Sequence, residues 1–221
     1  MLACCVILLL FGPPGCGKGT QAALLAEKFK IPAISTGEVF RAECKAGTDL
    51  GRQACKIMSS GGLVGDDIVN GIVAGRISRP DCANGFLLDG YPRTVPQAKF
   101  LAKLLKEKGL SEPTVIHLAV ADDVLVGRLT ARRQCPRCKK IYNLLFQPPK
   151  VADTCDDDGT ALLTREDDRE EVIRQRLRAY QEQTGPILDY YGKSVVQHVD
   201  GAAAPAEVAR LVEQAVLTAC V

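Results

Sequence analysis

Gly12-Pro-Pro-Gly-Cys-Gly-Lys-Gly-Thr20 is the stretch on which the reading of this chain turns. It fits the spacing G-x-x-x-x-G-K, with Gly19 and Thr20 behind the lysine. Before it runs Val6-Ile-Leu-Leu-Leu-Phe11, a continuous apolar segment closed by Gly and Pro, the pattern of a strand buried on both faces. After it, Lys18–Lys28 reads as a helix. Strand, glycine loop and helix together are the context in which this spacing holds an anion. Glycines let successive backbone N–H groups turn inward, and the helix adds the partial positive charge of its N-terminus. The backbone of Gly15, Cys16, Gly17 and Gly19 is therefore expected to cradle nucleotide phosphates. Lys18 would reach the β- and γ-phosphates and Thr20 would lie near the metal-bound oxygens. The bland alternative is a tight turn that uses Gly and Pro only for shape, and the register of Lys18 and Thr20 argues against it. Cys16 is the oddity of the loop, small enough to fit and a point of attack for thiol reagents.

Outward from the loop, the buried-strand signal repeats at Gly85–Leu88, Thr114–Val120 and Ser194–Val199. Helical stretches lie between, at Val95–Lys108, Asp122–Ala131 and Asp168–Tyr191, and a last helix from about Pro205 carries Val208, Leu211, Val212, Ala215 and Val216 along one face. This alternation predicts an α/β protein of the P-loop type, three layers deep, with a parallel sheet covered by helices on both faces. Two stretches break the pattern and read as insertions on the core: residues 36–64, with short helical patterns, and residues 132–165, rich in Cys, Pro, Asp and basic residues. The expected core is then residues 1–35, 65–131 and 166–221.

The 221 residues suffice for one full core with smaller appendages. A formal charge of +2, with 24% charged residues, gives no overall field to attract nucleic acid or a membrane, so anion binding has to come from placed side chains. The apolar start, MLACCVILLL, lacks a basic n-region and runs straight into the loop, so it is expected to stay as a strand rather than act as a cleaved leader. Nothing later approaches the roughly 18 apolar residues that span a bilayer. The expected address is the cytoplasm. In that compartment most of the ten cysteines (Cys4, Cys5, Cys44, Cys55, Cys82, Cys220) read as small, separate, buried hydrophobes.

Cys135, Cys138 and Cys155 are organised differently. Cys135-Pro-Arg-Cys138 is followed, after sixteen intervening residues, by Cys155-Asp-Asp-Asp158, two knuckles whose spacing fits a tetrahedral zinc site with a carboxylate in place of a fourth thiolate. Asp156 and Asp157 compete for that place, but Asp158 alone keeps the two-residue spacing. Such a set leaves no open position, so the metal would be structural and would hold together a segment with little apolar core of its own. Free thiols, or one disulfide with a cysteine left over, are the alternatives.

The chain resembles adenylate kinases of the long-lid, zinc-bearing type. The resemblance is carried by Gly12–Thr20, Ile34-Ser-Thr-Gly-Glu-Val-Phe-Arg41, Phe86-Leu-Leu-Asp-Gly-Tyr-Pro-Arg93 with Gln97, the Arg132-Arg133 pair, Phe146-Gln-Pro-Pro149 and Thr164-Arg-Glu-Asp-Asp168. These motifs stand in the family's order over nearly the whole chain. The resemblance implies reversible phosphoryl transfer from MgATP to AMP, giving two ADP, by a protein that is usually monomeric. It makes residues 36–64 the AMP-binding insertion and residues 132–165 the lid, where a Cys3Asp zinc set also occurs. It assigns the AMP contacts to Thr36, Arg41, Gly90, Arg93 and Gln97, with Arg93 on the phosphate and Gln97 on the base. Asp89 would orient magnesium through water, and Arg128 would stack on the adenine of ATP. Arg132, Arg165 and Arg176 would close around the transferring group, Arg132 toward ATP and Arg165 and Arg176 toward AMP. Asp167 and Asp168 would sit at the lid hinge.

Elementary chemistry agrees with arginine in those places. Phosphoryl transfer needs positioning and charge more than covalent help, and a planar guanidinium gives phosphate oxygens two parallel donors. Taken alone, Arg176 is equally a helix-face charge paired with Glu170, Glu171 or Glu182. The competing activities are another nucleoside monophosphate kinase, for UMP/CMP or GTP-dependent, and, from a different class, a zinc-ribbon nucleic-acid binder that uses the loop as a switch. Arg132, Arg133, Arg137, Lys139 and Lys140 form the basic cluster such a binder needs. Asp153, Asp156, Asp157 and Asp158 lie among them, and no aromatic platform accompanies them, so nucleic acid is not the expected partner.

Overall fold

A computed structural model describes residues 6–192 and 194–219. Cys4, Cys5 and Cys220 lie outside the described residues. The glycine loop is held by strand β1 (Val6–Phe11) and helix α1 (Lys18–Phe29). Every residue of β1 is buried, as its unbroken apolar run predicts for a central parallel strand. It pairs with β3 (Gly85–Asp89) on one side and β4 (Thr114–Ala119) on the other, and β2 (Ala33–Ser35) and β7 (Val196–Asp200) form the edges in the order β2-β3-β1-β4-β7, with every pairing parallel. Strand β2 was not anticipated, because three residues after Pro32 are too few to display a period.

Alternate residues of the strands feed two separate cores, one on each face. Ile7, Leu9, Phe11, Phe86, Leu88 and Val115 pack with α4 (Asp66–Ile77), α5 (Val95–Glu107) and α8 (Gly185–Tyr191). Val6, Leu8, Leu10, Leu87, Ile116 and Leu118 pack with α1, α6 (Asp122–Thr130), α7 (Glu170–Ala179) and α9 (Pro205–Ala219). In α9, Val208, Val212 and Val216 are buried, with Leu211 and Ala215 packed beside them, the stripe its sequence predicts. The three layers are thus present.

The first anticipated insertion forms α2 (Thr36–Ala46) and α3 (Asp49–Ser59). Here the cysteine reading needs correction. Cys82 is buried as expected, but Cys44 is half-buried, Cys55 is exposed, and the two form a disulfide across the α2–α3 pair, with Cα atoms 5.6 Å apart. Eleven residues separate them in sequence, and the helical hairpin brings them together. The second insertion contains a small antiparallel pair, β5 (Arg132–Gln134) with β6 (Ile141–Asn143).

The single helix expected over 168–191 is broken. A 3-10 turn at Glu166–Asp168 precedes α7, and a π-helical turn at Tyr180–Thr184 separates α7 from α8. The cause is local: Pro186 has no N–H to donate, and its ring would clash with the carbonyl one α-turn earlier, so the backbone widens before it. Among the described residues no helix is long and apolar enough to cross a membrane.

Candidate active site

The loop after β1 takes positive φ at Gly12, Gly15 and Gly17. A side chain at Gly12 would run into the Cys16 sulfur and the Leu118 carbonyl, whereas Gly17 faces open space and needs glycine only for its backbone angle of +102°. Lys18 Nζ folds back over the loop and donates to the carbonyls of Gly12 at 2.7 Å and Pro13 at 2.9 Å. Cys16 is poorly placed for thiol chemistry: its side chain is buried, and burial pushes its thiol pKa up. Asp89, at the end of β3, turns its carboxylate toward the first turn of α1, 3.9 Å from where a side chain at Gly19 would start.

These residues line one wall of a cavity of about 1050 Å³. The opposite wall comes from α2, from the β3–α5 loop, from Arg165 and Asp167 ahead of α7, and from Arg176 within it. Thr36 Oγ1 donates to the Gly90 carbonyl at 2.9 Å, and Arg93 Nε donates to the same oxygen at 2.8 Å. Gln97 is buried, and both ends of its amide are engaged: Oε1 accepts from Arg93 N at 2.7 Å and Nε2 donates to Asp66 at 2.7 Å. Thr36 and Gln97 border a smaller pocket that opens beside the main cavity. Gln97 thus braces the loop carrying Arg93.

Between the walls five arginines crowd together. Arg41 donates through Nε and Nη2 to Glu38, and Arg165 Nη2 reaches the same carboxylate oxygen at 3.2 Å. Arg132 grips Asp168 with two donors. Arg176 pairs with Asp167 at 3.0 Å and Asp168 at 3.2 Å, and not with Glu170, Glu171 or Glu182, so its helix-face reading is set aside. Arg93 is half-buried, with no carboxylate partner among its hydrogen bonds; its carbonyl accepts from Thr184 of the π turn at 2.9 Å.

The electrostatics record the crowding. Burial, and then the charge of Arg176, pull Arg93 down to about 10, and burial with Arg132 pulls Arg165 down to about 9. Arg176 is lowered by burial as well. Burial alone would raise Asp167 and Glu38, but the guanidinium groups beside them outweigh it and hold both carboxyls below their ordinary values. Positive charge is in excess and desolvated, a condition that a multivalent anion relieves.

On the side of the glycine loop, Arg128 donates to the carbonyls of Gly201 at 2.7 Å and Ala202 at 3.1 Å, and its guanidinium lies 5.8 Å from the centre of the Phe146 ring. Sequence reading named Arg128 but not the β7–α9 loop that holds it, which has no motif of its own. Glu38 and Gln134 were also missed as organisers. Glu38 stands inside the Ser-Thr-Gly-Glu run, yet its partner Arg165 is 127 residues away, and Gln134 accepts from Arg165 Nε at 2.7 Å across 31 residues.

Away from the cavity, Cys135, Cys138, Cys155 and Asp158 converge, with one ligand atom of each within 4.8 Å of the others. The Cys138 and Cys155 sulfurs are 3.5 Å apart, and the Asp158 oxygens are 3.4 and 3.5 Å from the Cys135 sulfur. Ligands around a tetrahedral zinc stand about 3.5–3.8 Å from one another, so the donor set fits. The Thr160 backbone N–H, at 3.0 Å, holds the Asp158 carboxyl well below its usual range and keeps it charged. Asp157 is engaged elsewhere, with Lys140 at 2.6 Å, and Asp156 accepts from Lys150 N at 2.8 Å. The competition among the three aspartates resolves in favour of Asp158.

A glycine-loop cradle facing a second, arginine-rich wall defines an α/β P-loop protein with anion-binding groups on both sides of one cleft. The family model described as adenylate kinase matches residues 10–196. Among curated relatives, an adenylate kinase of Trichlorobacter lovleyi is 54% identical over 184 residues, which are 83% of this chain and 86% of that one. An adenylate kinase of Methanothrix thermoacetophila is 47% identical over 88% of this chain and 91% of its own. One from Anaeromyxobacter sp. is 47% identical over 90% and 94% respectively. The chain belongs to the adenylate kinase family.

Proposed function

We propose that this cleft transfers the γ-phosphoryl group of MgATP to AMP and runs the reverse reaction from two ADP. The observation that carries the reading is the arrangement of Arg41, Arg93, Arg132, Arg165 and Arg176 opposite the Gly12–Thr20 loop, with three of the five held below the usual arginine range. A site for one nucleotide phosphate needs the loop alone; the second wall calls for a second phosphate group.

In this account the loop N–H groups and Lys18 hold the donor phosphates, and Lys18 exchanges its two carbonyl partners for phosphate oxygens as the nucleotide arrives. Arg128 and Phe146 flank the donor base. Thr36, Gly90 and Arg93 receive the acceptor, with Arg93 and Arg41 on its phosphate and Gln97 reaching the base from the adjoining pocket. Arg132, Arg165 and Arg176 exchange carboxylate partners for the transferring group and meet its charge as it develops. Magnesium bound with ATP would neutralise the phosphates, and Asp89 would be the residue that holds it in place. Residues 36–64 form the acceptor-binding unit and residues 132–165 the lid; closure of both excludes water and so suppresses hydrolysis. Cys135, Cys138, Cys155 and Asp158 hold one structural zinc ion in the lid. The protein works as a soluble cytoplasmic monomer.

Steady-state rates with AMP, CMP, UMP and GMP as acceptors test the assignment. AMP should exceed each of the others by at least an order of magnitude in kcat/KM. A preference for a pyrimidine monophosphate, or for GTP as donor, would replace this reading with that of a related kinase.

A further inference from the structure

The Cys44–Cys55 disulfide clips together the two helices of the acceptor-binding unit. Helix α2 carries Thr36 at its start, Arg41 at its middle and Cys44 one turn beyond Arg41. Helix α3 carries Cys55, and the chain beyond it leads to Gly61, which packs directly on α7: a side chain there would touch Gln175 and Arg176. The clip therefore ties α2 to an element seated against Arg176. At the turn between the helices the backbones already touch, since a side chain at Gly51 would overlap the Glu43 carbonyl. Thr48 accepts from Gly51 N at 2.9 Å and donates to Glu43 at 2.6 Å. The turn holds the helices at one end; the disulfide fixes the angle between them.

We propose that Cys44–Cys55 is a reversible redox clip that sets affinity for the acceptor monophosphate, a proposal that rests on α2 being the acceptor side. The two sulfurs differ in access. Cys55 is exposed, while Cys44 is half-buried with its Sγ 3.3 Å from the Gly51 carbonyl. A dithiol reductant attacks Cys55 Sγ; the S–S bond breaks and Cys44 leaves as a thiolate. The second thiol of the reductant then displaces Cys55 from the mixed disulfide, and the reductant departs as its own disulfide. The two electrons come from the dithiol and its two protons end on Cys44 and Cys55. The freed Cys44 thiol has the Gly51 carbonyl as a ready acceptor, so the turn survives reduction. What is lost is the fixed angle of α2, and with it the preset position of Thr36 and Arg41 relative to Arg93.

The test compares the oxidised protein with protein treated with dithiothreitol, zinc content being read by metal analysis in both. Differential alkylation followed by mass spectrometry should show the Cys44 and Cys55 peptides cross-linked before treatment and separately alkylated after it. The KM for AMP should rise at least threefold on reduction while the KM for ATP stays unchanged. The double variant Cys44→Ser/Cys55→Ser should hold the reduced value with or without dithiothreitol, which separates the clip from any effect on the lid cysteines. Absence of the cross-link, or an AMP KM indifferent to redox state in an active enzyme, overturns the clip alone. An enzyme that turns over other monophosphates but not AMP in either state overturns the acceptor assignment together with it.

Discussion

Lys18 donates its ammonium hydrogens to the carbonyls of Gly12 and Pro13, the Arg132 guanidinium pairs with Asp168, and that of Arg176 pairs with Asp167 and Asp168. Each cation is thus held in place by an acceptor that, in the proposed function, a phosphate would displace, so its position is prepared and little ordering would remain for the moment of binding. The two walls differ in what their loss costs. Lys18→Ala removes charge aimed at the donor phosphates and should lower kcat by about a hundredfold or more. Arg93→Ala removes a half-buried donor on the other wall and should raise the KM for AMP by roughly 10–100-fold with the KM for ATP little changed. Steady-state kinetics of the two variants reads the contrast, and an unchanged AMP dependence in Arg93→Ala contradicts its role. At this scale the sequence was legible where a residue sits in a motif, as Lys18, Thr36 and Arg93 do. It was silent where a partner arrives from far along the chain: nothing local marks Glu38 as shared by Arg41 and Arg165, or Asp168 as shared by Arg132 and Arg176.

Elements respond as units. Strands β4 and β7 place the chain's two histidines at the same register position, with Nδ1 atoms 3.1 Å apart, and His117 Nε2 is 3.1 Å from the Tyr180 hydroxyl of the π turn. Burial, and then the charges of His198 and Lys18, pull His117 from 6.5 down to about 4. In the folded protein it stays neutral where the unfolded chain is already binding a proton. Its contribution to stability is therefore complete above about 6.5 and is lost as pH falls toward about 4. His117→Gln should flatten the pH dependence of stability across that window, as measured by denaturant unfolding at several pH values; an unaltered slope would rule the linkage out. The lid segment would be held together by the proposed zinc ion. Its buried apolar cluster is Cys135, Tyr142, Cys155 and Leu162, too small to hold it alone. Chelation should lower its melting temperature and leave the parallel sheet folded, read by thermal scanning with far-ultraviolet dichroism, and metal-replete protein that contains no zinc would end this part of the account. Spacing made the lid site readable. The break in the helix over 168–191 had a local signal in Pro186, which the expectation of one continuous helix passed over.

For the whole molecule, the order β2-β3-β1-β4-β7 puts the glycine loop at the centre of the sheet and the Asp89–Arg93 turn on the strand beside it. Both emerge at the carboxyl ends of parallel strands, where ligands bind in open α/β sheets. The parallel sheet followed from the alternation of buried strands and helices; the strand order, with the short β2 at its edge, did not. The meeting of Arg132 and Arg165, at the two ends of the lid segment, with Arg93 and Arg176 depends on three-dimensional closure, and only the family resemblance anticipated it. The central claim is that the cleft takes two nucleotides and passes a phosphoryl group between them without water. Phosphorus NMR of MgATP with enzyme, before and after AMP is added, tests it most directly. The account predicts no reaction with ATP alone, two ADP for each ATP consumed once AMP is present, and no inorganic phosphate. Steady release of inorganic phosphate from ATP, indifferent to AMP, would contradict it.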